Sequence, residues 1–128
     1  MKLNKFEQLQ AWREAHALAL MIYKETNKFP NDEKFRLVNQ LCRSASSVPA
    51  NLVEGNARGH RKEFIQFAYQ ARGSLEETKY HLLLARDLDY LNSKEYEGLV
   101  AQAERTGKLI NGLIRYLRST NQDRVTNK

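Results

Sequence analysis

Apolar residues recur at helical spacing over four long stretches of the chain, and none of it alternates apolar and polar residues as a half-buried strand does. An all-α fold is implied. Asn4, with Glu7 three residues on, makes a capping-box start for a first helix from about Lys5 to Thr26. Phe6, Leu9, Trp12, His16, Ala19, Leu20 and Tyr23 fall on one side of it, and Ala11, Ala15, Leu18 and Ile22 widen that arc well past an ordinary amphipathic stripe. Such girth predicts a helix that meets both a bundle core and a second surface.

Phe29-Pro30-Asn31-Asp32 breaks the pattern, because Pro30 pushes Phe29 out of helical angles and Asn31 or Asp32 can cap the next helix. That second helix is expected from near Glu33, burying Phe35, Val38, Leu41, Cys42, Ala45, Val48 and Leu52. On its opposite side Arg36, Gln40, Arg43, Ser47, Ala50 and Glu54 align at spacings of four, three, four, three and four. Pro49 lies inside this helix, where it removes the hydrogen bond to the Ala45 carbonyl at a cost of about 3 kcal/mol, so a kink is expected there. Asn51 and Glu54 are placed to satisfy the backbone groups freed by that kink and by the helix end near Gly55, with Ser46 and Ser47 serving the same purpose.

Residues 55–59 read as a loop, ending in the basic cluster Arg58, His60, Arg61 and Lys62. The third helix is expected from about Arg61 to Leu91, burying Phe64, Phe67, Ala68, Ala71, Leu75, Thr78 and Leu82. Gly73 and Ser74 interrupt its middle, which predicts close approach of another backbone where helix two kinks. Asn92 with Glu95 repeats the capping-box spacing and opens a fourth helix, which buries Leu99, Ala103, Ile110, Leu113, Ile114 and Leu117 and leaves Glu104, Lys108 and Arg115 on its solvated side. Residues 1–120 read as one domain and 121–128 as a frayed tail.

Charge changes this picture. The chain carries 21 basic against 15 acidic side chains, a net +6 that favours a polyanionic partner such as RNA or DNA. No block of like charges exists, so a basic surface has to be assembled by folding or by oligomerisation. Aromatic residues are not interleaved with the basic ones along the chain, which argues against base stacking on single strands. The candidate contacts are Arg36, Arg43, Arg58, Arg61 and Lys62, with two readings open: phosphate contact, or pairing across a subunit interface with acidic residues such as Glu76 or Glu77.

The sequence carries no constellation for catalysis. His16, His60 and His81 form no ligand set, and Glu77 stands four residues from His81 where di-iron bundles use three, twice. Cys42, the single cysteine, excludes an internal disulfide and sits on the apolar side of its helix. The glycines at 55 and 59 lack the Gly-Lys-Ser/Thr ending of a phosphate-binding loop. No cofactor or metal is expected. No apolar run approaches the ~18 to 20 residues that span a bilayer, and Met1 to Gln10 is too polar for a signal peptide, so a cytoplasmic protein without membrane contact is expected.

Phe29-Pro30, the stretch Ser47-Val48-Pro49-Ala50-Asn51-Leu52-Val53-Glu54-Gly55, Arg58 with Lys62-Glu63-Phe64, and Ala71-Arg72-Gly73-Ser74-Leu75-Glu76-Glu77 resemble the four-helix-bundle proteins encoded within intervening sequences of bacterial 23S rRNA genes. The resemblance covers about residues 5–118. It implies an antiparallel up-and-down four-helix bundle that assembles as a homopentamer without catalytic activity. The chain is also similar to the accessory variability determinant of diversity-generating retroelements, a pentameric basic bundle that binds nucleic acid and a reverse transcriptase. His60 stands where the family carries a serine helix cap. The resulting expectation is a non-enzymatic homo-oligomer that binds nucleic acid, or a protein that handles it; the alternative is an oligomeric adaptor between proteins, for which the charge is incidental.

Overall fold

A computed structural model describes residues 5–119, with the side chains of Lys5 and Gln8 excepted, so the cap expected at Asn4 and the tail expected at 121–128 lie outside it. Four α-helices carry the fold: α1 (Gln10–Thr26), α2 (Leu37–Ala57), α3 (Arg61–Asp87) and α4 (Ser93–Ser119). No strand occurs among the described residues. Each helix packs on its neighbour in sequence and α4 closes back on α1, around a core that includes Leu18, Ile22, Leu41, Leu52, Leu75, Leu82 and Ile110.

The first helix starts later than expected. Lys5–Gln8 forms a 3-10 turn, Leu9 is extended at φ −79° and ψ 123°, and α1 begins at Gln10. Its core face is the narrower arc of Ala11, Ala15, Leu18, Ala19 and Ile22. Of the row expected on the same side, Trp12 is half-buried against the core while His16, Leu20 and Tyr23 turn outward: Leu20 is 58% and Tyr23 50% exposed, and the His16 ring stacks 4.8 Å from that of Trp12. The small alanines Ala11, Ala15 and Ala19 are buried in the narrower arc together with Leu18 and Ile22.

The α1–α2 connection departs furthest from expectation. Phe29 is buried, Asn31–Glu33 forms a 3-10 turn, and Arg36 (φ −115°, ψ −102°) delays α2 until Leu37. The cap comes from Glu33 rather than Asn31 or Asp32: its Oε1 accepts from the Leu37 amide at 3.2 Å. The second carboxylate oxygen accepts from the Tyr90 hydroxyl at 2.6 Å and from Arg36 Nη2 at 2.9 Å. Because residues 34–36 lie outside the α2 register, Phe35 is 84% exposed instead of buried.

The expected loop at residues 55–59 shrinks to Arg58-Gly59-His60, with Gly59 at φ 77°. Gly55 is buried inside α2, where a Cβ would stand 2.7 Å from Phe67 Cβ and 2.9 Å from Phe64 Cδ1. The tight approach of α2 to α3 is therefore at Gly55. Gly73 faces open space and does not interrupt α3, so the expected break there is absent.

A reversal at Asp89 (φ 65°) ends α3 at Asp87 rather than Leu91. The Tyr90 amide bonds the Ala85 carbonyl and the Asp89 amide bonds that of Arg86, both at 2.9 Å, the Schellman pattern of a helix end. The capping box at the start of α4 is closed in both directions: Glu95 N–H donates to Asn92 Oδ1 at 2.7 Å and Asn92 N–H to Glu95 Oε1 at 2.9 Å.

Candidate nucleic-acid interface

The five basic residues expected to act together are divided by the fold. Arg36 lies at the start of α2 and is paired with the buried Glu33, about 30 Å from the other end of that 21-residue helix. Arg43 stands exposed on the middle of α2, beside a cleft of about 380 Å³ that Ser47, Ser74 and Glu77 help to line. Arg58, Arg61 and Lys62 share the end where α2 passes into α3. Arg58 is held by Glu54 at 3.1 Å and Glu63 at 4.0 Å, with its guanidinium 4.9 Å from the Phe67 ring centre. Arg61 Nη1 donates to the Leu117 carbonyl at 2.8 Å, covering an acceptor in the last turn of α4. Lys62 is exposed and meets no carboxylate of the described residues.

Folding adds partners to Arg61 and Lys62 that the sequence pattern did not single out. Arg118 of α4 donates from Nη1 to the Tyr69 hydroxyl. The Arg72 guanidinium lies 4.8 Å from the centre of the Tyr69 ring and donates to Asn111 Oδ1 at 3.1 Å. Tyr69 and Arg118, with Arg61, Lys62, Glu63, Ile65 and Gln66, line an open cleft of about 600 Å³ between the start of α3 and the end of α4; Arg72 and Asn111 lie beside it. Lys108 and Arg115 are exposed on α4 in the same row as Asn111 and Arg118, and neither meets a carboxylate of the described residues.

Charge is thus sorted along the α3–α4 seam. One half holds Arg61, Lys62, Arg72, Lys108, Arg115 and Arg118 against Glu63. The other half is neutralised, with Lys79 reaching Glu76 at 2.9 Å and Glu104 at 3.3 Å. Lys62, Ile65, Tyr69 and Arg72 on α3, and Lys108, Asn111, Arg115 and Arg118 on α4, have the same three-four-three spacing. Taken singly, each row looks like a solvated face; their facing registers bring the two sets of cations together.

The segment around Pro49 reads differently in three dimensions. Pro49 is buried within a continuous α2, and Asn51 Nδ2 donates to the Ser47 carbonyl at 2.8 Å and to Ser47 Oγ at 3.0 Å. Ser47 Oγ meets Ser74 Oγ at 2.8 Å, and Thr78 Oγ1 is 2.9 Å from Ser44 Oγ. A ladder of hydroxyl and amide groups therefore ties α2 to α3, which places Ser74 in a helix contact although Gly73 makes none. Glu54 takes no part in it: its carboxylate faces outward to Arg58. Glu77 lies 3.2 Å from His81 Nε2, one turn along α3.

Hydrogen bonds also set the titration of the α2 cap. The Tyr90 hydroxyl holds Glu33 below the usual carboxylate range, and the Leu37 amide and Arg36 add to that against the cost of burial. At the start of α4, the Asn92 amide and then Lys28 lower Glu95 in the same way.

Four helices around one core, with basic side chains gathered at one end of a helix seam, define a small all-α protein. The chain matches the family model described as 23S rRNA-intervening sequence protein over residues 7–112, and it belongs to that family. It is also similar to a crystal structure of a protein with unknown function from the S23 ribosomal protein family of Bacteroides thetaiotaomicron. The two share 25% identity with a TM-score of 0.73, over 81% of this chain and 97% of that one. No curated protein is detectably similar to the chain. No helix among the described residues is long and apolar enough to cross a membrane.

Proposed function

We propose that the protein is a non-enzymatic homo-oligomer that binds nucleic acid, RNA above all, through the basic half of its α3–α4 seam. The observation that carries this reading is the gathering of six cationic side chains there, of which Lys62, Arg72, Lys108, Arg115 and Arg118 meet no carboxylate of the described residues. Lysine and arginine contacts to phosphate supply most sequence-independent affinity for nucleic acid. The family description, which refers to 23S rRNA, and the neighbour's assignment to a ribosomal protein family agree with an RNA partner.

An antiparallel up-and-down bundle is the arrangement that accounts for the paired residues. Partners on α3 fall from Thr78 to Ser74 to Phe67 as those on α2 rise from Ser44 to Ser47 to Gly55. Between α3 and α4, Arg61 meets Leu117, Arg72 meets Asn111 and Lys79 meets Glu104. The oligomer, a pentamer by family resemblance, is supported by the outward row of α1, where Leu20 and Tyr23 remain half exposed. In a closed ring of copies that row meets a different patch on the neighbour.

The same exposed residues, with Phe35, support a second reading: an adaptor that joins proteins and for which charge is incidental. Binding of labelled RNA and DNA separates the two. The nucleic-acid reading predicts affinity that falls steeply with salt, and no binding at about 50 mM salt favours the adaptor. Light scattering in the same buffer should give the mass of five chains, and a monomer at micromolar concentration contradicts the oligomer.

A further inference from the structure

Resting on the nucleic-acid reading above, we infer that the cleft between the start of α3 and the end of α4 takes a nucleotide of a single strand and discriminates against duplex. Its size and its chemistry both point this way. At about 600 Å³ it falls within the ~300–1,000 Å³ of small-ligand sites, and it is open to solvent, so a nucleotide-sized group on a longer strand can lie in it. A duplex keeps its bases stacked between two phosphate rows and has no such group to insert.

A surface that only tracked phosphates needs cations and nothing else. This cleft also has an apolar floor in Ile65, an aromatic wall in Tyr69 and a neutral amide in Gln66, which can both donate to and accept from a base edge. Arg72, outside the cleft lining, lies with its guanidinium 4.8 Å from the Tyr69 ring centre and adds a further cation beside that wall. Arg118, tied to the Tyr69 hydroxyl, holds a positive charge at the wall where the phosphate of that nucleotide arrives. Lys62 supplies a second cation, while Glu63, the carboxylate among the described lining residues, is 4.0 Å from Arg58.

The rows beyond the cleft extend the track. Lys62 to Arg72 spans ten residues, about 15 Å of helix, and Lys108 and Arg115 flank it on α4. A strand whose base is held at Tyr69 can lay its neighbouring phosphates along these cations, as single-strand grooves do.

Fluorescence anisotropy with a labelled ten-nucleotide oligouridylate and with a hairpin duplex of matched charge tests the inference. The wild-type chain should bind the single strand at least tenfold more tightly. Tyr69→Leu should lose about tenfold or more of single-strand affinity, as removal of a stacking ring does, with little change for duplex. Tyr69→Phe should retain most of the affinity. Arg118→Gln, at an exposed position, should also weaken the single strand selectively, and Arg36→Gln should change neither. Circular dichroism establishes that each variant is folded; if Tyr69→Leu is not, Arg118→Gln carries the test. Duplex binding equal to or tighter than single-strand binding overturns this inference alone, as does equal weakening of both ligands by the cleft variants. Absence of binding to any nucleic acid overturns it together with the broader reading.

Discussion

Gly55 and Phe67 stand so close that a Cβ on the glycine would lie 2.7 Å from the Cβ of the phenylalanine. Neither atom is at the end of a flexible side chain, so a larger residue forces α2 and α3 apart. Gly55→Ala should therefore destabilise the fold by about 1–3 kcal/mol, the usual cost of overpacking, which exceeds the ~1 kcal/mol gained in helix propensity. Gly73→Ala, where nothing lies within 4 Å, should stabilise it by about 0.5–1 kcal/mol. Urea denaturation of the two variants checks both signs, and the reverse order would contradict the packing described for this seam.

The Glu33 cap predicts a particular acid sensitivity. Hydrogen bonds from Tyr90 first, then from the Leu37 amide and Arg36, lower the folded-state pKa of Glu33 below its ordinary 4.5. A depressed carboxylate contributes stability that is complete above the unfolded value and is lost as pH falls through the folded one. Glu95, lowered by the Asn92 amide and Lys28, acts in the same sense. The melting temperature should hold level from pH 7 to about 5 and then fall, with a smaller fall in Glu33→Gln. A melting temperature that rises on acidification below pH 4.5 would contradict the sign assigned to this cap.

The outward row of α1 separates assembly from folding. Leu20 and Tyr23 are at least half exposed in the single chain, so Leu20→Lys with Tyr23→Lys should change its stability by no more than about 1 kcal/mol. If the row covers a subunit contact, the double variant should shift the light-scattering mass towards one chain with helical content unchanged. Retention of the oligomer would place the contact elsewhere.

Much of the architecture was legible because local rules decide it. The Asn92–Glu95 capping box is satisfied by residues three apart, and four amphipathic stretches needed four neighbours to cover them. What escaped sequence reading depends on partners distant in the chain. Glu33 caps α2 because Tyr90, 57 residues away, orders its carboxylate, and Phe35 is exposed as a consequence. Asp89 reverses the chain at φ 65° without a glycine to announce it. The two apolar arcs of α1 are equivalent in periodicity, and periodicity alone does not say that Ala11, Ala15, Leu18, Ala19 and Ile22 form the buried one.

The site was less legible still. Of the basic residues expected to act together, Arg61 and Lys62 do line the cleft, but Arg36 is drawn to Glu33 and Arg58 to Glu54. Tyr69 and Arg118 are 49 residues apart, and aromatic and basic residues that are not interleaved along the chain become so across two helices. A pairwise register of α3 on α4 was the missing quantity.

If the cations of the α3–α4 seam contact phosphates, the slope of log affinity against log salt counts those contacts. Each phosphate contact to a single strand contributes about −0.7 to that slope. For a labelled RNA, Lys62→Gln with Arg72→Gln and Arg118→Gln should make the slope shallower by about 2 relative to the parent, while Arg36→Gln leaves it unchanged. An unchanged slope in the folded triple variant, or an equal loss in Arg36→Gln, would contradict the assignment of nucleic-acid binding to this seam.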